Sequence, residues 1–141
     1  MINENITIST EYSDFNGFSK VFCFCISNYC QEAQCELLKK IGINDQFLDS
    51  NDIMLLVKSL NIEYEKLIEY GEELTIKTSI PQISEDTLDM NFKIYNDENI
   101  IVSKAKMTIA FYNGTRENQI KIPNIVKQKF TNYTAKQKKA E

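Results

Sequence analysis

The chain has 141 residues, 43% of them hydrophobic and 26% charged, which is enough for one domain with a core and excludes a disordered chain. It holds no histidine, which excludes Ser-His and Cys-His nucleophile pairs, histidine-based hydratases and the usual histidine-containing metal sites. Sixteen basic against 20 acidic residues give a net charge of -4, and with Arg116 the single arginine the balance speaks against nucleic acid as a partner.

The opening stretch MINENITIST lacks the basic start and apolar run of a signal peptide. No apolar run in the chain reaches the roughly 18 residues of a membrane span, so a cytoplasmic protein without a membrane partner is expected. Residues 5–12, NITISTEY, alternate and carry β-branched side chains, which predicts a strand closed by the polar turn SDFNG at 13–17.

The spacing of Phe22, Ile26, Tyr29, Ala33 and Leu37 predicts a long helix over about 20–41. Its start, VFCFCI, is apolar on every side and calls for burial all round; its second half, QEAQCELLKK, is amphipathic. Lys39 and Lys40 suit the negative end of the helix dipole, and Gly42 suits the stop. Cys23, Cys25, Cys30 and Cys35 match no zinc or CxxC spacing and read as small packed hydrophobes, so no metal is expected. Residues 44–52, NDQFLDSND, read as a polar loop.

From there strands dominate, over 53–64, 73–83, 87–95 and 99–112. Leu74, Ile76, Thr78 and Ile80 share one face, as do Leu88, Met90, Phe92 and Ile94, and Ile101, Ala105, Met107, Ile109 and Phe111. NDEN (96–99) and NGTREN (113–118) are turn signals; QIKI is a short last strand ended by Pro123. A short helix over 124–130 is expected, and then a polar tail over 131–141 that frays. Strand, buried helix and antiparallel strands together predict an α+β fold, a sheet of five or six strands wrapped around one long helix.

Three stretches carry a resemblance. YSDFNGFSKVFCFCISNYCQEAQCELLKKIGI (12–43) is similar to a Y-x-D-x-D-x-x-G-x-V opening followed by a Y-x-x-Y-F-E-E-A-R-x-E-L-L-x-x-x-G helix. IEYEKLIEYGEELTIKTSI (62–80) is similar to a Y-x-x-P-x-x-x-G-D-x-L-x-V strand pair, with Leu67 at the proline. REN-QIKIP (116–123) is similar to a terminal basic strand and Ile-Pro. In this order they resemble the hotdog-fold thioesterases of the 4-hydroxybenzoyl-CoA thioesterase-like branch, over about 5–130. The resemblance implies one hotdog domain at 1–130 and a homodimer or homotetramer. It also implies hydrolysis of an acyl thioester held on coenzyme A or an acyl carrier protein, in polyketide or fatty-acid metabolism, with no metal or cofactor.

The family's catalytic residue is a carboxylate just before the long helix, able to act as nucleophile or general base beside the helix N-terminus. Counting back without gaps from Tyr29, Glu32, Ala33 and Glu36, its position falls on Asn16, the glycine position on Ser19, and Val21 matches. An asparagine is no base, but it can bind a carbonyl or orient water. Asp14-Phe15-Asn16 also resembles the enediyne polyketide thioesterases in part, although their helix tyrosine and arginine fall on Ile26 and Gln34 here. A second register reads Asp14-Phe15-Asn16-Gly17 as the family's D-x-x-G, with two extra residues before the helix. The catalytic candidates are therefore Asn16 and Asp14. The resemblance makes Ser19, Val21, Phe22, Tyr29 and Glu32 substrate-binding candidates, with Phe24 also placed along the acyl tunnel. Lys104, Lys106 and Lys121 are candidates for pantetheine phosphates or an acidic carrier. With an asparagine at the catalytic position, a non-catalytic hotdog domain that binds an acyl chain or a carrier protein is the alternative.

Overall fold

The strict alternations at 73–83 and 87–95 become strands over those same residues. The computed structural model describes residues 2–9, 23–69 and 71–140. In chain order its elements are β1 (Ile2–Ser9), α1 (Cys23–Ile41), α2 (Asp45–Ser50), β2 (Ile53–Tyr64), β3 (Glu73–Ile83), β4 (Thr87–Tyr95), β5 (Ile101–Asn113), β6 (Gln119–Ile120) and α3 (Asn124–Ala140). Among the described residues the strands form one antiparallel sheet in the order β1-β3-β4-β5-β2, with β6 paired to the far end of β5.

Register sets the faces. Thr78 stands beside Phe92, Phe92 beside Ala105, and Ala105 beside Ile62, so these side chains share the inner face. Leu74, Ile76, Leu88, Met90, Ile94 and Ile109 are fully buried there. Ile26, Tyr29, Cys30, Ala33, Leu37 and Leu38 of α1, at helical spacing, belong to the same core. α1 touches β1 and β2, the two edge strands, as well as β3. A helix reached from both edges of one sheet is a helix the sheet has curled around.

Several ranges differ from the sequence reading. β1 begins at Ile2, which is buried opposite Ile80; residues 10–12 lie outside the described residues. β5 begins at Ile101, because Asn99 takes a positive φ of 63° in the turn and Asn96 Oδ1 accepts from the amides of Glu98 and Ile100. The polar loop expected at 44–52 contains α2: Asn44 caps it by accepting from the Phe47 amide at 2.9 Å, and Asp45 lies in its first turn. Six residues are too few to show a helical period.

The boundary set at 130 falls inside α3, and the tail expected to fray is helical to Ala140. Val126 and Phe130 bury its first half. Its second half docks through polar groups: Tyr133 Oη donates to Glu4 Oε2 at 2.7 Å, and Gln137 Nε2 donates to the Asn3 carbonyl at 3.2 Å. Among the described residues no helix is long and apolar enough to cross a membrane.

Candidate active site

The segment 14–21 that leads into α1, with Asp14, Asn16, Ser19 and Val21, lies outside the described residues, as does Phe22; the side chains of Cys23 and Phe24 are likewise undescribed. What the structure gives of the site is the helix that follows. Cys25 and Ile26 are buried, which agrees with the apolar run there. From Asn28 onward α1 has a wet side, and Glu32 and Glu36 stand exposed on it. Tyr29 is buried in the core at the border of that wet side. Tyr29 and Glu32 are thus one helical turn apart and neighbours on the helix surface, the first buried and the second exposed. Gln34 is buried although polar, a placement the sequence reading did not anticipate.

The described first turn of α1 carries no carboxylate, while Lys39 and Lys40 occupy the last turn. An anion placed at the N-terminal end of a helix is stabilised by typically about 0.3–1 kcal/mol. Burial pushes the Cys30 thiol up to about 12, so it is not a thiolate at neutral pH. Among the described residues, no three of the Cys, Asp and Glu side chains come together as a metal site.

The other end of α1 is held electrostatically. Lys40 Nζ lies 2.6 Å from Glu4 Oε1, and Tyr133 donates to the second oxygen of the same carboxylate. Burial by itself raises the Glu4 pKa, but the Lys40 and Tyr133 hydrogen bonds and the Lys40 charge together hold it below the usual carboxylate value. Beside this pair, Thr78 Oγ1 is buried without a hydrogen-bond partner, next to a cavity of about 50 Å³ that Glu4, Glu36, Leu37 and Lys40 also line.

With this arrangement in view, the chain matches the acyl-ACP thioesterase N-terminal domain over residues 1–106. The chain belongs to the acyl-ACP thioesterase family. A 1,4-dihydroxy-2-naphthoyl-CoA hydrolase of Microcystis aeruginosa is 25% identical over 116 residues, 82% of this chain and 83% of its own. Among solved structures, the DHNA-CoA thioesterase of Staphylococcus aureus superposes with a TM-score of 0.86 at 16% identity, covering 100% of this chain and 97% of its own. A second Staphylococcus aureus protein, solved in complex with CoA, gives 0.86 at 10% identity over 94% of this chain and 85% of its own. The sheet curled around α1 is therefore a hotdog fold. This family member is a hydrolase of acyl thioesters, of the 4-hydroxybenzoyl-CoA thioesterase-like type.

Proposed function

We propose that the protein hydrolyses acyl-CoA thioesters at the N-terminus of α1, with the residues that lead into that helix as its catalytic groups. The observation that carries this reading is a buried helix whose described first turn holds no acid, in a chain of a thioesterase family. Unpaired amides at such a helix start suit the oxyanion that forms when water or a carboxylate attacks the thioester carbonyl. Asp14 serves as general base in one register. In the other, Asn16 binds the carbonyl or orients the water. Ser19, Val21, Phe22 and Tyr29 line the acyl group, and Glu32, exposed in one protomer, is available to a thioester held between two. The hydrolase and thioesterase with closely related names among the similar proteins support an aromatic acyl-CoA as the first substrate to try.

The functional unit in this reading is a homodimer. β2 is an edge strand, and Met54, Leu56 and Tyr64 on it are close to half exposed, with Leu67 just beyond at 67%. An edge with free backbone groups and apolar side chains pairs readily with a second copy.

Thiol release from a panel of acyl-CoA thioesters, aromatic and straight-chain, tests the activity. Removing a general base typically costs about 100–10,000-fold in rate. A loss of that size in Asp14→Asn alone identifies the carboxylate; a loss in Asn16→Ala alone identifies positioning by the amide. If both variants keep the parent rate while Cys25→Ser is inactive, the site assignment is wrong.

A further inference from the structure

The core holds a polar group that the fold itself does not satisfy. Thr78 lies on the inner face of β3 and is 2% exposed, and its Oγ1 has no hydrogen-bond partner among the described residues. Other buried polar side chains are bonded: Ser103 Oγ donates to the Glu63 carbonyl at 2.8 Å, and Asn96 Oδ1 accepts from two amides. A buried hydroxyl without a partner carries its full desolvation cost.

Register sets Glu4 of β1 directly opposite Thr78. Side chains so paired stand on one face with their Cβ atoms about 5 Å apart. No direct bond joins them, because each Glu4 oxygen is drawn to a helix: Oε1 to Lys40 Nζ at 2.6 Å, Oε2 to Tyr133 Oη at 2.7 Å. A carboxylate oxygen has two lone pairs, so each keeps room for one more donor. Between the two residues lies the cavity of about 50 Å³, roofed by Ala33, Glu36, Leu37 and Lys40 of α1. These four recur at i, i+3, i+4 and i+7 on one helix face, and Ala33 is the smallest of them.

Size and wall chemistry select the occupant. A cavity needs only about 10–15 Å³ to hold a water, and the water needs two to four polar partners. Thr78, Glu4, Glu36 and Lys40 supply them. An apolar tail would leave the hydroxyl stranded. A metal ion would sit against the Lys40 ammonium, which already occupies the carboxylate.

We propose that this cavity is a structural water site that joins β3 to α1 and α3. The Thr78 hydroxyl donates to the water, and the water donates to the Glu4 carboxylate. The bridge carries β3 into the clamp that Glu4 makes with Lys40 and Tyr133, and so seats the C-terminal half of α1 on the sheet. It does not depend on the thioesterase reading. The test joins a high-resolution crystal structure of the parent to the stability of Thr78→Val, which removes the hydroxyl at nearly constant shape. The parent is expected to show a water about 2.7–3.0 Å from Thr78 Oγ1. Thr78→Val is expected to lower Tm by about 2–4 °C, because the water loses a partner. A hydroxyl that is truly unpaired gives the opposite sign, since valine then removes a cost. An unchanged or raised Tm, or a parent cavity without water density, overturns the proposal. So does an acyl tail that displaces the water in crystals soaked with a long-chain acyl-CoA, which would make the cavity the closed end of a substrate channel. If Thr78→Val does not fold, by circular dichroism, the density in the parent decides alone.

Discussion

Glu4 shows how one side chain ties three elements together. It sits on β1, receives Lys40 from the end of α1, and receives Tyr133 from α3. The sequence separations are 36 and 129 residues, so no local pattern announces the contact. Its folded pKa lies below the ordinary carboxylate value of 4.5, so its contribution is fully present above that value and is lost as pH falls through the folded pKa. Glu4→Gln is expected to cost about 1 kcal/mol near neutral pH. The gap between parent and variant should close in acid, once the pH has fallen through the lowered folded pKa and the parent's carboxylate is protonated too. Urea melts at the two pH values check this; a gap that persists in acid would mean that shape, not charge, holds the cluster.

At the scale of elements, helix ends are where residue chemistry decides most. α1 stops at Gly42, whose φ is +99°, with its amide donating to the Lys39 carbonyl and the Ile43 amide to the Leu38 carbonyl. That paired pattern, with Leu38 and Ile43 both buried, is a Schellman cap. A Cβ at residue 42 would also meet Lys129 Nζ at 3.2 Å. Gly42→Ala should therefore lower stability by about 1–2 kcal/mol, mostly from left-handed backbone strain. Thermal unfolding measures it, and an unchanged Tm would show that the corner relaxes freely. α3 is the contrasting case. Its second half is polar in sequence, and its order comes from Tyr133 and Gln137 reaching β1, a contact only the assembled fold supplies.

For the whole molecule the decisive fact is closure. α1 meets β1 and β2, strands that never pair with each other, because the sheet bends around it. Closure around one helix leaves β2 as an edge, with Met54 and Leu56 outward. In the dimer reading, charges at both positions oppose association. A Met54→Lys, Leu56→Lys variant should shift the protein toward monomer by light scattering at micromolar concentration. A parent that is already monomeric would remove the dimer and any site between subunits.

The period-2 pattern by itself determined β3 and β4 to the residue and named their inner faces, because strand alternation is a local property that burial enforces, and the strand read at 53–64 is β2. The period of 3.6 likewise placed α1, and Gly42 its end. Motif order placed the chain among hotdog thioesterases, which the family match over 1–106 supports. The candidate site was legible only as two registers over 14–21, since one turn residue more or less changes which side chain meets the helix start. Tertiary structure alone decided α2, too short for a period, and α3 beyond residue 130, too polar for one. It alone set Lys77, Lys93 and Lys104 in a single row, because cross-strand register is a relation between distant segments. No side chain carries that relation in its own sequence neighbourhood.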